Sequence, residues 1–222
     1  MKKSAIYICL LGFLCCLTMI LVDGVLQPGY TVKSAVKVFL FLLLPLLFSL
    51  WQKLKLTAAF RPDRKALLFS LLLGIATFAI VMAAYALLHP YIDLSAVPAA
   101  LEQSAGVTKD NFLFVGTYIA LCNSLLEEFF FRCFLFLGLI KSAPKLFAYL
   151  FSASAFAVYH AGMLVGMIGP ALFLLALVAL FLCGLMFNYF NARHNTIFVS
   201  WLIHMGANFA INTVGMHLLG ML

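Results

Sequence analysis

Long apolar stretches recur along this chain, and short polar breaks separate them. A helix needs about 20 mainly apolar residues to cross the hydrocarbon core of a bilayer, and these stretches are of that order. Hydrophobic residues make up 66% of the chain and charged residues only 9%, whereas roughly a quarter of the residues in soluble domains are charged. The sequence therefore predicts an all-α fold, a polytopic bundle of transmembrane helices with the lipid bilayer as its solvent.

The apolar stretches predict about seven spans. Their approximate ranges are 4–26, 34–51, 66–88, 112–140, a fifth that starts at 146, a sixth from 169 to 189, and 196–219. Gly169 and Pro170 separate the fifth from the sixth, because proline lacks the backbone donor that a helix interior needs. The first stretch has the basic start of a signal peptide but no small-x-small cleavage site before Asp23, and we interpret it as a retained helix. Counts of about six or about eight spans also fit the pattern.

The placement of charges predicts the orientation of the bundle. Basic residues lie on alternate loops, namely Lys2, Lys3, Lys53, Lys55, Arg61, Arg64, Lys65, Lys141, Lys145 and Arg193. Lysine and arginine in short loops are retained on the cytoplasmic side, so we expect a multi-pass protein of the cell membrane with a cytoplasmic N-terminus. The opposite loop, 89–111, agrees, because it sets three acidic residues against the single Lys109. The net charge of +7 then reflects topology and anionic headgroups rather than nucleic acid as a partner.

Three ionisable residues stand out inside the fourth predicted span. Glu127 and Glu128 are adjacent, and Arg132 follows Glu128 by one helical turn. An ionised group at the bilayer centre costs about 2.5–3.5 kcal/mol on insertion scales, so such residues are candidates for function. Arg132 and Glu128 share a helix face and can pair, whereas Glu127 points about 100° away from that pair. The Glu128–Arg132 pair could equally be a purely structural contact.

Polar residues on two further spans extend this set. His160 lies in the fifth span, and His204 lies in the seventh with Asn208 one turn later on the same face. Measured at 1.5 Å per residue from the basic residues at the inner helix ends, Glu127, His160 and His204 lie at similar depths, about 16 to 22 Å. A single histidine in a membrane is often a hydrogen-bonding contact between helices, worth about 1 kcal/mol. Three spans that place polar groups in one layer favour a shared site.

The order of these residues resembles a known family, the CPBP intramembrane proteases, which includes type II CAAX prenyl proteases and bacteriocin-processing or bacteriocin-immunity proteins. The motifs are Glu127-Glu128-x-x-x-Arg132, Phe156-x-x-x-His160 and His204-x-x-x-Asn208. Each motif alone is weak, but the three together in order are specific. The resemblance divides the chain into N-terminal transmembrane helices and loops of no recognisable family, residues 1–111, and a CPBP-like catalytic core, residues 112–222.

The resemblance implies an intramembrane endopeptidase that cuts a membrane-associated or lipidated protein or peptide. It implies that Glu127 and His160 activate the attacking water and that His204 and Asn208 stabilise the oxyanion. Glu128 and Arg132 would order the site. This chemistry is reasonable for the residue types, because amide hydrolysis needs a base for water and donors for the developing oxyanion.

The participation of a metal is left open by the sequence. If a metal is bound, Glu127, His160 and His204 are the expected ligands, since a catalytic zinc commonly takes three protein ligands and a water. The His-Glu-x-x-His signature of soluble zinc proteases is absent. The resembled family has carried both a metalloprotease label and a glutamate-dependent, metal-free interpretation. We favour the metal-free mechanism, with zinc as the alternative.

Two other classes of function also fit buried ionisable residues. A catalytically idle member of the family could act as an immunity or scaffold protein, and a small transporter could use the Glu and His groups as a proton relay. The complete set of motifs favours the protease over the idle scaffold. The lack of paired half-helices or of an inverted repeat argues against the transporter.

Overall fold

The computed structural model describes residues 2–54, 56–61 and 64–222. Lys55, which the charge pattern assigns to a cytoplasmic loop, lies outside this range. The chain is 83% helix, and the described residues contain no strand. The predicted all-α class is confirmed.

Besides two short 3-10 helices, the described residues form eight longer helical segments. They are α1 (Lys3–Leu26), α2 (Tyr30–Trp51), α3 (Arg64–Leu88), α4 (Val97–Ala105), α5 (112–139), α6 (Lys145–Leu164), α7 (Pro170–His194) and α8 (Phe198–Leu218). Pro170 occupies the first position of α7, where its missing N–H costs no hydrogen bond. Helices α6 and α7 begin within one residue of the predicted positions, 146 and 169. Helix α2 begins at Tyr30, about one turn before the predicted start at 34.

Within the described residues, 5 helices are long and apolar enough to cross a membrane: α1, α2, α3, α6 and α7. The predicted fourth and seventh spans, which correspond to α5 and α8, are not among these helices. The count of about seven spans is therefore not confirmed. In the bundle, α8 packs along α3, and α5 contacts α2, α6 and α8.

An aromatic cluster holds α5 between α2 and α6. The ring of Phe130 stacks on Phe41 of α2 at 4.0 Å, and Phe131 meets Phe156 of α6 edge-on at 5.3 Å. All four rings are buried. Aromatic pairs of these geometries stabilise by about 0.5–1.5 kcal/mol each beyond their buried area. The triple-phenylalanine segment 129–131 thus fixes the rotation of α5, and with it the directions of the neighbouring glutamates.

Glycines allow α3 and α8 to pack closely. A Cβ atom on Gly206 would lie less than 3.0 Å from the carbonyl oxygen of Gly74, and one on Gly74 would meet the carbonyl oxygen of Leu202 in the same way. Small residues at helix crossings are typical of membrane proteins, where association depends on packing rather than on the hydrophobic effect. The close approach sets the position of α8 and therefore of His204, which precedes Gly206 by two positions.

The basic loops meet at one end of the bundle. Lys2, Lys141 and Asn195 line a common cavity of about 170 Å³ together with Leu54, Leu56 and Ala59. At the other end, the Lys109 ammonium group donates to the carbonyl oxygen of Gly220 at 2.7 Å. The loops that the sequence assigns to the cytoplasm therefore lie on one side of the bundle. That this side faces the cytoplasm stays a prediction.

Candidate active site

The glutamate pair lies on an unusual part of α5. A regular α-helical turn, Ser124–Glu128, is flanked by two π-helical segments, Ile119–Asn123 and Phe129–Phe136. A π turn is wider than an α turn and occurs frequently at functional sites. The hydroxyl of Ser152 on α6 donates to the carbonyl oxygen of Phe131, inside the second wide segment, at 2.8 Å.

The two oxygens of Glu127 have different environments. Oε1 accepts hydrogen bonds from Lys37 Nζ at 2.5 Å, from Asn123 Nδ2 at 3.0 Å and from the Tyr159 hydroxyl at 3.4 Å. Oε2 has no hydrogen-bond partner among the described residues. It lies 3.7 Å from Nε2 of His160 and 3.8 Å from Nε2 of His204. The carboxylate therefore turns one anchored oxygen toward α2 and one open oxygen toward the two imidazoles.

A backbone contact orients His160. Its Nδ1 atom lies 2.7 Å from the carbonyl oxygen of Phe156, one turn earlier on α6. A carbonyl oxygen only accepts, so Nδ1 carries the proton, and in the neutral ring Nε2 keeps its lone pair. That lone pair faces Glu127.

His204 is oriented by the second glutamate. Its Nδ1 atom donates to Oε1 of Glu128 at 3.0 Å, and its Nε2 atom faces Glu127. The side chain is nearly buried, with 9% of its surface exposed, and the carboxylate of Glu128 is fully buried. Glu127 and Glu128, adjacent in sequence, therefore contact the same imidazole at its two nitrogens.

Arg132 supplies the cation beside Glu128. Its Nε atom lies 3.3 Å from Oε2 of Glu128, and the side chain is fully buried. The alignment is poor for hydrogen bonding, and within the described residues the guanidinium nitrogens have no hydrogen-bond acceptor. Aromatic rings surround the cation instead, with Phe156 at 4.3 Å and Phe187 at 5.2 Å from the guanidinium carbon. The pairing of Glu128 with Arg132 that the one-turn spacing allows is therefore present, with cation–π contacts added.

Asn208 has a different partner from the other predicted site residues. Its Nδ2 atom donates to the carbonyl oxygen of Ile119 at 3.3 Å, in the first π segment of α5. That carbonyl also accepts from the backbone N–H of Ser124. The structure thus brings together Glu127, Glu128, Arg132, His160 and His204, whereas the Asn208 amide is bonded to the backbone of α5.

Three residues of the cluster were not predicted from the sequence. Lys37 is the most important, because its ammonium group lies against Glu127 and also donates to Oδ1 of Asn123 at 2.6 Å. Asn123 and Tyr159 are the other two. A signal for Lys37 was available, since an ionisable residue within an apolar helix is a functional candidate by default. Asn123 lies one helical turn before Glu127, a spacing at which side chains interact.

The predicted zinc ligands, Glu127, His160 and His204, lie beside a lysine. Among the described residues, no group of three or more His, Cys, Asp and Glu side chains is arranged to hold a metal ion. Lys37 places its ammonium nitrogen 2.5 Å from Oε1 of Glu127, one of the residues that would bind a zinc ion. The cation therefore already occupies one oxygen of Glu127 and leaves the other turned toward the two imidazoles.

A larger cavity lies away from this cluster. It has a volume of about 530 Å³ and an apolar lining from α3, α5 and α8, including Gly74, Gly116 and Gly206. None of the predicted site residues lines it. His204 and Gly206 are about 200° apart around α8, so the cavity and the imidazole lie on different faces.

The fold and the site define a helical membrane protein with a buried cluster of glutamate, histidine and arginine. Residues 109–210 match the family model described as Type II CAAX prenyl endopeptidase Rce1-like. This match confirms the resemblance that the three motifs predict and supports a CPBP family intramembrane protease. No curated protein and no solved structure matches the chain. The matched segment contains every predicted site residue, whereas Lys37 lies outside it.

Proposed function

We propose that this protein is an intramembrane endopeptidase that hydrolyses a peptide bond of a membrane-associated or lipidated protein or peptide. The observation that carries the proposal is the convergence of Glu127 Oε2 with the Nε2 atoms of His160 and His204, at 3.7 and 3.8 Å. Two of these atoms, Glu127 Oε2 and His160 Nε2, are acceptors and suit a molecule that brings donors, and water is the smallest such molecule. The family match supports hydrolysis of a peptide bond as the chemistry.

In the proposed reaction Glu127 is the general base. Its free oxygen takes a proton from water, and the resulting hydroxide attacks the carbonyl carbon of the scissile bond. His160 lies beside the same oxygen and accepts the second water hydrogen through Nε2, which orients the lone pair of the water. The proton held by Glu127 then passes to the leaving nitrogen, and the amine departs.

His204 is proposed to stabilise the tetrahedral oxyanion. In its protonated form Nε2–H can donate to the developing negative charge, while Glu128 accepts from Nδ1 and stabilises the imidazolium. Arg132 balances the charge of Glu128 and keeps that carboxylate in place. Asn208 is proposed as a second oxyanion donor, a role in which its amide exchanges the Ile119 carbonyl for the substrate.

The burial of the site favours a substrate that enters from the membrane. Glu127 and Glu128 are 2% and 0% exposed, so a peptide reaches them only when helices move apart. A lipid anchor or an apolar segment next to the scissile bond would concentrate the substrate at that depth. We therefore propose a lipidated or membrane-bound peptide as the substrate class.

The test is cleavage by the purified protein in detergent or proteoliposomes. The probes are a quenched fluorescent peptide with a farnesylated C-terminal CAAX sequence, the same peptide without the lipid, and a hydrophobic membrane-spanning peptide. Glu127→Gln, His160→Gln and His204→Gln should each lower kcat at least about 100-fold, because each removes a group that acts on water or on the oxyanion.

Matched controls separate chemistry from folding. His217→Gln makes the same exchange on α8 outside the site, where the ring contacts the Tyr85 hydroxyl at 2.8 Å. Glu102→Gln makes the carboxylate exchange at an exposed position of α4. Both controls should keep the wild-type kcat. Cleavage that survives in Glu127→Gln at the wild-type rate would refute the proposed function.

A further inference from the structure

We infer that Lys37 is a positioning residue of the proposed active site, where it holds Glu127 through Oε1 so that Oε2 stays turned toward the imidazoles of His160 and His204. The inference rests on the proposed function. It adds a residue from α2, outside the segment 109–210 that matches the protease family. The N-terminal helices would then complete the site as well as the bundle.

The contacts of Lys37 form a closed triangle. Its ammonium group donates to Glu127 Oε1 at 2.5 Å and to Asn123 Oδ1 at 2.6 Å, and Asn123 Nδ2 donates to the same Glu127 oxygen at 3.0 Å. Because Lys37 can only donate, it requires the amide oxygen of Asn123 to face it, and this turns the amide nitrogen toward Glu127. Loss of Lys37 would therefore release two donors from Oε1.

The surroundings of Lys37 fix its ammonium group. The side chain is 8% exposed, and Nζ lies 4.9 Å from the ring centre of Tyr159 and 5.7 Å from that of Phe41. Tyr159 precedes His160, and Phe41 stacks on Phe130 of α5. The lysine is therefore held by the same aromatic cluster that sets the rotation of α5.

Stability alone is a weak explanation for this lysine. A buried ion pair gains about as much Coulomb energy as it loses in desolvation, and apolar replacements of a whole pair are often neutral. A second pair, Lys33 with Asp23 at 3.4 Å, lies one turn earlier on α2 and already joins α2 to α1. What Lys37 adds is control over which oxygen of Glu127 is free.

Lys33 provides a matched control for the test. Both lysines lie on α2, both are largely buried, and each pairs with a carboxylate on another helix. Lys33→Met leaves Asp23 without its cationic partner, and Lys37→Met does the same to Glu127. If the two variants lose similar melting temperature, a difference in turnover between them does not come from stability.

The experiment compares kcat and KM of Lys37→Met, Lys37→Arg and Lys33→Met on the farnesylated CAAX peptide. Lys37→Met should lower kcat by roughly 10- to 100-fold, the effect of losing a hydrogen bond to a charged group, with KM within about twofold. Lys37→Arg should recover most of the kcat because it restores a cationic donor. Lys33→Met should keep kcat within about twofold of the wild type.

The outcomes distinguish this inference from the proposed function. If the wild type cleaves and Glu127→Gln does not, but Lys37→Met turns over at the wild-type rate, the positioning role is wrong and the protease stands. A parallel fall of kcat in Lys37→Met and Lys33→Met, without recovery in Lys37→Arg, would also overturn it.

A second measurement does not depend on cleavage. Melting temperatures of Lys37→Met, Glu127→Leu and the double variant form a cycle that reports the coupling between the two side chains, because leucine, unlike glutamine, cannot accept from Lys37. The loss in the double variant should be clearly smaller than the sum of the single losses. Additive losses would show that Lys37 does not hold Glu127, whatever the activity of the protein.

Discussion

Glu128 accepts a hydrogen bond from Nδ1 of His204 at 3.0 Å, across the contact between α5 and α8. The other oxygen of this carboxylate lies 3.3 Å from the Nε atom of Arg132. The Glu128 carboxylate thus contacts both the His204 imidazole and the Arg132 guanidinium. The negative charge of Glu127 is instead balanced by Lys37. The two adjacent glutamates therefore have different electrostatic partners, and their substitution should have different effects.

Glu128→Gln should lower both stability and turnover. It leaves Arg132 as an uncompensated buried charge, which costs about 3–5 kcal/mol, and it removes the acceptor that supports protonated His204. Glu127→Gln should abolish turnover with a smaller loss of melting temperature, because Lys37 keeps the amide oxygen of Asn123 as an acceptor, whereas Arg132 has no other acceptor among the described residues. Thermal unfolding in one detergent, together with the cleavage assay, measures both effects. Equal melting of the two variants would contradict this difference.

Arg132→Lys should not restore what Arg132→Ala loses. The guanidinium is planar and lies 4.3 Å from the Phe156 ring centre and 5.2 Å from that of Phe187, and a compact, strongly hydrated ammonium group suits this site poorly. We expect Arg132→Ala to lose roughly 3–5 kcal/mol of unfolding free energy, and Arg132→Lys to melt clearly below the wild type because the ammonium group fits the aromatic surroundings poorly. Arg193→Lys, at an exposed position of α7, is the control and should melt like the wild type. If Arg132→Lys were as stable as the wild type, a positive charge at this position would be sufficient, and the prediction would be wrong.

The composition of the site could be predicted from the sequence because burying its ionisable residues in a membrane costs free energy, so such residues are rare without a function. Glu127, His160 and His204 stand out in apolar helices without any knowledge of the fold, and the structure brings all three together. Burying the ammonium group of Lys37 costs free energy for the same reason. The positive-inside pattern treats lysine as a marker of loops, so it does not reveal a lysine that pairs with a carboxylate inside the bundle.

The contacts of Asn208 and the detailed shape of α5 could not be predicted in this way. The Asn208 amide bonds to the carbonyl of Ile119, which belongs to a π segment. A spacing of one helical turn assumes regular α-helix, and the wide turns at 119–123 and 129–136 depart from it. Such departures depend on tertiary packing, here on Ser152 and on the phenylalanine rings, and the hydropathy pattern does not report them.

Gly206→Ala should destabilise the bundle. An added Cβ would lie less than 3.0 Å from the carbonyl oxygen of Gly74, and this backbone atom cannot rotate away as a side chain could. Separation of α3 from α8 should cost about 1–3 kcal/mol, the usual range for overpacking, and it should displace His204 and lower kcat. Gly169→Ala is the matched control, since a Cβ there meets nothing within 4 Å. Unaltered melting of Gly206→Ala would mean that the two helices pack less closely than described.

The orientation of the bundle predicts opposite accessibility for the two ends of α5. Lys109 and Lys141 are exposed and flank this helix, 112–139, on either side. With the native cysteines replaced by serine, Lys141→Cys should react with a membrane-impermeant maleimide only in inside-out vesicles, and Lys109→Cys only in right-side-out vesicles. The reverse pattern would place the N-terminus outside, because Lys2 and Lys141 line the same cavity. Labelling of both positions from one side would contradict a membrane-spanning α5, and Glu127 would then lie at an interface where water reaches it without passing between helices.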